Sequence, residues 1–327
     1  FQQAVQLCTF IRVTPANARG ATAGVFGLPG PRKKRYSIME RILLVSNRLP
    51  VTIQKRRGDL QVQRSIGGLA TGMQSFHETY ESLWIGWPGL PNDQLKQAER
   101  AEVERRLAEE QCYPVPLTRA DLQSYYYGFC NNTIWPLCHY FAHEAAYDEK
   151  LWDAYVRINR RFCDVVKEVA RPDDTIWVHD YQLMLLPGML REVLPDARIG
   201  FFLHIPFPSY EIFRLLPWRQ QLLEGLIGAD LIGFHTYDYV RHFLSSVRRL
   251  LGHEVRFSQI YTGRRIVRAD TFPMGIDYDR YAGAVASKAT QREARKIREE
   301  IGAQQFILSV DRLDYTKGIL ERLDAFD

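Results

Sequence analysis

Side chains able to grip phosphate and sugar recur in this chain at one kind of place, the polar end of a short apolar run. Residues 42–46 run into Asn47-Arg48, 175–178 into His179-Asp180-Tyr181, 199–203 into His204-Ile205-Pro206, and 231–234 into His235. A further run at 305–310 leads into Asp311-Arg312-Leu313-Asp314-Tyr315-Thr316-Lys317-Gly318. Runs this short and this apolar are the mark of strands buried on both faces. In a parallel sheet the carboxyl ends lie on one side, where ligands bind, so the pattern gathers Arg, His, Asp and Lys around one crevice. Polar residues also follow strands simply because loops are polar, but so many such endings in one chain weigh against that reading.

Taken singly, the residues leave alternatives open. Arg48 has the planar guanidinium that fits phosphate bidentately, and on position alone a surface ion pair suits it equally. Gly67-Gly68 lets a backbone approach a ligand just before a helix start, which favours negative charge, although most such pairs are plain turns. Asp180 reads first as an N-cap for the apolar helix after it and second as an acceptor for sugar hydroxyls. His204 is either a satisfied core group or a donor to a sugar hydroxyl, and Pro206 and Pro208 stiffen its loop around Phe207. Arg312 and Lys317, with Gly318 opening the next helix, form a cradle for a diphosphate. The aromatic stretch from Tyr125-Tyr126-Tyr127 to Trp135 suits core or a sugar-stacking wall. His139 and His143 stand at helical metal-site spacing, but no third ligand is near and HExxH is absent, so no metal is expected. The phosphate loop GxxxxGK, the GxSxG elbow and a Gly-rich dinucleotide fingerprint after the first strand are all missing, which counts against dehydrogenase and serine hydrolase.

The elements that must position these groups alternate. Strands are expected at 42–46, 83–86, 175–178, 199–203, 231–234 and 305–310, with irregular strands across 254–272. Helices are expected from the Gly67-Gly68 turn to about Tyr80, then at 94–110, 147–170, 182–194, 209–227, 237–251 and 288–301. This order indicates an α/β protein with a parallel sheet. A break at Pro273-Met274-Gly275 marks a domain boundary. No repeat of 20–50 residues is present, which excludes a solenoid.

Composition agrees with a globular protein. Of 327 residues, 46% are hydrophobic and 25% charged, which excludes wholesale disorder. The net charge of +5 is too slight for a nucleic-acid footprint, yet it suits anionic small molecules. No apolar run is long enough for a membrane span. The 5 cysteines are scattered, odd in number and never spaced CxxC, so they read as reduced core thiols of a cytoplasmic protein.

With these residues assembled, the chain resembles the trehalose-6-phosphate synthase family, retaining glycosyltransferases of the GT-B fold with two facing Rossmann-like domains. The matching stretches are Val45-Ser46-Asn47-Arg48-Leu49-Pro50, Gly67-Gly68-Leu69-Ala70, Trp84-Ile85-Gly86-Trp87, Tyr125-Tyr126, Trp135-Pro136 and Trp177-Val178-His179-Asp180-Tyr181. They continue through Gly200-Phe201-Phe202-Leu203-His204-Ile205-Pro206-Phe207-Pro208 and the Asp311 to Gly318 run, so the likeness covers residues 39–327.

The resemblance implies transfer of glucose from UDP-glucose to glucose 6-phosphate, giving trehalose 6-phosphate and UDP. By matching positions, Arg48, Tyr126 and Trp135 hold the acceptor phosphate, Trp87 helps form that pocket, and Asp180 binds acceptor hydroxyls. Gly68 and His204 face the donor, and Arg312 and Lys317 neutralise the departing diphosphate. Asp180, His204, Arg312 and Lys317 are then the catalytic set. No cofactor, nucleic acid or membrane is implied, and a homo-oligomer is compatible with everything so far. A glucosylglycerol-phosphate synthase or a non-catalytic sugar-phosphate sensor would share these motifs.

The expected organisation is a flexible basic extension at 1–38, ending in the Arg32-Lys33-Lys34-Arg35 cluster. An N-terminal Rossmann-like acceptor domain at 39–275 and the beginning of a nucleotide-sugar domain at 276–327 follow. On that expectation the chain stops partway through its second domain, folds at least through the first, and has little or no transferase activity by itself.

Overall fold

Each apolar run finds its place in the sheet because its residues are hydrophobic on both faces and offer no side to water. The computed structural model describes residues 41–56, 59–65, 72–73, 77, 80–276, 278–302 and 307–326. The basic N-terminal extension, Cys8, the Gly67-Gly68 turn and most of the helix expected after it lie outside the described residues. The rest divides into two compact units, one ending at Met274 and the other starting at Gly275.

The first unit is built on strands β1 (Ile42–Arg48), β4 (Ser82–Trp87), β5 (Cys112–Pro114), β6 (Thr175–His179), β7 (Arg198–Phe202), β8 (Leu231–Phe234), β9 (Glu254–Arg256), β10 (Gln259–Tyr261) and β11 (Ile266–Thr271). Their order is β5-β4-β1-β6-β7-β8-β11-β10-β9, parallel except for the antiparallel edge β11-β10-β9. A separate hairpin, β2 (Val51–Arg56) with β3 (Asp59–Arg64), stands apart from this sheet. The chain moves from β1 outward to β4 and β5, then returns to lay β6 on the other side of β1. The strand order therefore reverses between β1 and β6, and a crevice opens beyond the carboxyl ends of strands at such a switch point. Asn47-Arg48 and His179-Asp180 sit at those two ends.

Alternate residues of β1 serve opposite layers. Leu43 and Val45 pack with Ile85, Val178, Phe201 and Phe234 under the long helix Glu149–Val169, while Ile42 and Leu44 pack with Trp84, Trp177 and Leu231 on the other face. That helix begins where Asp148 Oδ1 accepts the Lys150 N–H at 2.7 Å, and it buries Trp152, Tyr155, Ile158, Phe162 and Val166 at helical spacing. Helix Leu186–Val193 lies close to helix Arg219–Leu226 because Gly225 carries no side chain; a Cβ there would stand 2.6 Å from the Met184 carbonyl oxygen. Gly225→Ala is expected to cost ~1–3 kcal/mol in a urea melt, the usual effect of forcing apart well-packed backbone.

Asp121 anchors the start of the wide helix described below. Its carboxylate accepts from Arg157 at 3.0 Å, from Arg161 at 2.6 Å and from the Thr118 N–H at 3.0 Å. Burial alone would push this carboxyl up, but those hydrogen bonds win and hold it well below the usual carboxylate range. Its stabilising contribution is therefore complete above the unfolded value near 3.8 and is lost as pH falls through the lowered folded value. Asp121→Asn, which uncouples two partly exposed arginines, is expected to cost ~1–3 kcal/mol at pH 7. Denaturation at several pH values should show that gap closing under strong acid.

Several expectations are corrected. The helix expected at 209–227 is two, Tyr210–Phe213 and Arg219–Leu226, because Pro217 has no N–H to continue the ladder. The helix expected at 182–194 starts with a tight turn, Tyr181–Leu183, and becomes regular only at Leu186–Val193. The β2–β3 hairpin was not foreseen. In the second unit, helices Tyr278–Ala284, Lys288–Ile301 and Ile319–Asp324 form, but the described part of the strand expected at 305–310 does not. Its described residues 307–310 are in no strand, and Ile307, Leu308 and Val310 are 77%, 75% and 83% exposed. A strand needs a neighbour to take its hydrogen bonds, and among the described residues none lies beside it.

Candidate functional site

At the end of β1 the backbone register with β4 shifts between Val45 and Arg48, so that Arg48 comes opposite Trp87. The Arg48 guanidinium lies over the Trp87 ring, 5.1 Å from its centre, while the residue stays exposed. Stacking holds the cation without consuming its hydrogen-bond donors. Trp87 is itself fixed by its indole N–H, which donates to the Leu90 carbonyl at 3.2 Å. Asn47 is 6% exposed, and its Oδ1 has no hydrogen-bond partner among the described residues.

Across the switch point, Asp180 has φ 77° and ψ 169°, a region that residues other than glycine rarely enter. The Asp180 N–H donates to the Phe202 carbonyl at 2.7 Å, and its carboxylate accepts the His204 N–H at 3.2 Å, so both bonds tie it to β7 and the residues after it. No side-chain cap forms on the turn that follows, which corrects the N-cap reading. Strain of this kind costs ~1–3 kcal/mol and persists only where surroundings over-determine it.

Here the surroundings are buried hydroxyls and amides from two helices. Tyr155 donates to the Tyr181 carbonyl at 2.8 Å and accepts the Met184 N–H at 3.0 Å; Asn159 and Tyr125 each donate to the Gln182 carbonyl at 3.1 Å. Residues 181–184 are thus clamped on both sides. Tyr155→Phe strands the Met184 N–H, and a loss of ~1–3 kcal/mol is expected in a thermal melt. Burial pushes the Asp180 carboxyl up to about 6, against the lowering effect of the Tyr181 and His204 main-chain N–H groups. The group is partly accessible, ionised near neutrality, and set to accept from hydroxyls.

Three histidines follow one another along the rim. His179 ends β6, His204 follows β7, and His235 follows β8. His179 Nδ1 and His204 Nε2 are 3.1 Å apart with the rings stacked at 5.3 Å, and His235 meets His204 edge-on at 5.7 Å. Burial pushes His179 down to about 3 and His204 well below the usual histidine range, His204 also through its neighbours His179 and His235. All three are lowered, so at neutral pH they serve as neutral hydrogen-bonding groups. Phe207, fully buried against Phe213, Phe234 and Phe243, pins the loop carrying His204.

The aromatic stretch resolves into both of its readings. Residues Leu122–Ile134 form a helix wound wider than the α-helix, ending with the Trp135 N–H on the Cys130 carbonyl, an i to i−5 bond. Such helices are rare and recur at functional sites. Tyr125 is core, Tyr126 is half-buried and Tyr127 exposed. Trp135 packs on Tyr181 at 5.6 Å, directly beside Asp180, and on His139 at 4.1 Å; Tyr181 in turn donates to Asn131 Oδ1 at 3.1 Å. His143, the other half of the spaced pair, is exposed beside Glu144.

The first unit therefore pairs Arg48 with Trp87, Asp180 with His204, and Trp135 with the residue after Asp180. Arg312 and Lys317 belong to the second unit. There Arg312 is 71% exposed at its side chain and 3.5 Å from Asp314, and Lys317 closes the turn Tyr315–Lys317. Gly68 lies outside the described residues. Sequence reasoning placed His179 and His235 at the crevice by their strand ends without giving either a role, and it missed Tyr155.

The sequence profile of glycosyltransferase family 20 matches residues 40–327. The chain belongs to glycosyltransferase family 20. This family-20 chain is 43% identical over 298 residues to the bifunctional trehalose-6-phosphate synthase/phosphatase of Thermoproteus tenax, across 88% of this chain and 40% of that protein. It is 42% identical over 299 residues to the UDP-forming alpha,alpha-trehalose-phosphate synthase of Pichia angusta, across 88% of this chain and 62% of that one. A UDP-forming synthase structure from Burkholderia vietnamiensis superposes with TM-score 0.75 at 30% identity, covering 90% of this chain and 61% of that one. A Burkholderia xenovorans synthase solved in complex with glucose 6-phosphate superposes with TM-score 0.73 at 30% identity, covering 88% of this chain and 61% of that one. The family-20 chain thus spans between 40% and 62% of the length of these relatives. The parallel sheet with helices on both faces is the N-terminal Rossmann-like domain of the GT-B fold.

Proposed function

We propose that the protein is a retaining hexosyltransferase that moves glucose from UDP-glucose to glucose 6-phosphate, giving trehalose 6-phosphate and UDP. The observation that carries this reading is the pairing at the strand-order reversal: a stacked guanidinium at the end of β1 and an ionised, hydroxyl-accepting carboxylate at the end of β6. One suits the phosphate of a sugar phosphate and the other its ring hydroxyls. Trp87, Tyr126 and Trp135 wall the acceptor. His204 is assigned to the donor sugar. Cleavage of the sugar–phosphate bond builds negative charge on the leaving diphosphate, and Arg312 and Lys317 are assigned to stabilise it as it develops. The buried free thiols Cys112, Cys130, Cys138 and Cys163 favour a cytoplasmic setting.

Calorimetry on this chain tests the acceptor half. Glucose 6-phosphate is expected to bind ~10-fold or more tightly than glucose, since one charge-assisted phosphate contact is worth at least about 1.4 kcal/mol. Equal affinity, or none for either, overturns the reading. Release of UDP from UDP-glucose with glucose 6-phosphate tests transfer itself.

A further inference from the structure

Two neutral imidazoles at 3.1 Å share one hydrogen bond, so one nitrogen donates and the other accepts. If His204 Nε2 were the donor, His179 would accept at Nδ1 and carry its own proton on Nε2. That Nε2 is buried with no partner among the described residues. A stranded buried N–H is the rarer and costlier defect; an acceptor lone pair left in the same place is better tolerated. The arrangement in which His179 holds its proton on Nδ1 therefore prevails. His204 Nε2 then accepts, which leaves the His204 proton on Nδ1.

We infer that His179 is a positioning residue of this site, donating from Nδ1 to His204 Nε2 and so fixing His204 as an Nδ1–H donor. The surroundings agree from every side. His204 Nδ1 makes no hydrogen bond to any described residue, while the residue itself is partly accessible. The His204 main-chain N–H is taken by Asp180. Phe202 and His235 press on its ring at 4.6 Å and 5.7 Å. Ring position and proton position are thus both set before a ligand arrives, which is the preorganisation a binding group needs. A donor fixed in this way suits an oxygen acceptor, a sugar hydroxyl or a phosphate oxygen, and does not suit a ligand N–H. This deepens the function proposed above and rests on it for the identity of the ligand alone.

The test is long-range proton–nitrogen correlation NMR at pH 7 on the ligand-free chain carrying nitrogen-15 histidine, with resonances assigned by single substitutions. Expected are protonated Nδ1 and bare Nε2 in both His179 and His204. In His179→Leu, with a folded methyl spectrum, His204 is expected to move to the Nε2–H form that free imidazoles prefer. A wild-type His204 protonated on Nε2 overturns the inference, as does a His204 tautomer unchanged in the leucine variant. If the leucine variant does not fold, the wild-type pair of tautomers decides alone. No substrate enters this measurement, so its failure is separate from a failure to bind glucose 6-phosphate.

Discussion

Asp180→Asn is expected to make the fold more stable and, on the function proposed above, to weaken the binding of glucose 6-phosphate. Burial lifts the Asp180 carboxyl from 3.8 to about 6. A raised folded value means that the native state binds this proton more tightly than the unfolded chain does. Native stability is therefore best below 3.8, falls as pH rises from there through 6, and is flat above. A shift of this size corresponds to ~2–3 kcal/mol lost to the buried charge at neutral pH. Asparagine keeps an oxygen for the His204 N–H, removes the charge, and tolerates positive φ better than most residues. The variant should thus gain ~2–3 kcal/mol at pH 7.5, less at pH 5, and nothing below 3.8. Urea denaturation across that range checks the curve; a variant less stable than wild type at pH 7.5 removes burial as the cause. Affinity for glucose 6-phosphate should meanwhile fall about 10- to 100-fold, the worth of a charge-assisted bond to hydroxyl.

The contrast with Asp121 gives this prediction its meaning. Both carboxylates are partly or wholly enclosed, yet two arginines and a main-chain N–H hold Asp121 low, while Asp180 has main-chain donors and no cation among its hydrogen bonds. One is a structural ion pair. The other keeps a charge in an unfavourable place on a strained backbone, held there by Tyr155, Asn159 and Tyr125. Costs of this kind collect where a group must meet a ligand.

Much of this frame was readable in letters. Runs such as 42–45, 176–178 and 231–234 hold no polar side chain and end abruptly in polar residues, so burial on both faces left them no other structure than interior parallel strands. The crevice residues followed from where those runs stop. What escaped has physical reasons. No spacing of apolar residues marks the extra residue per turn in Leu122–Ile134, because the widening is settled by what the helix packs on. Nor does the Asp180 positive φ show in sequence, being imposed by the Tyr155 clamp far away in the chain. The hairpin was legible and overlooked, since Val51, Ile53, Leu60 and Val62 alternate with polar neighbours. The run at 305–310 has strand composition but no strand beside it among the described residues, and composition cannot supply a partner.

Arg48→Ala is expected to abolish most of the preference for phosphorylated over plain glucose. In the proposed function this guanidinium meets a phosphate that is largely dianionic at neutral pH, and each charge-assisted bond contributes ~1.5–3 kcal/mol. Losing two parallel bonds weakens glucose 6-phosphate about 100-fold or more, while glucose, which offers the guanidinium only a neutral hydroxyl, loses ~10-fold or less. Arg48→Lys restores charge without the fork, so an intermediate loss is expected. Trp87→Ala leaves the charge intact but removes the ring 5.1 Å beneath it. Its loss should be smaller, on the order of 0.5–2 kcal/mol. Titrations of glucose and glucose 6-phosphate into the three variants, repeated at low and high salt, separate charge from shape. If Arg48→Ala weakens both ligands equally, the arginine shapes the pocket and does not bind phosphate.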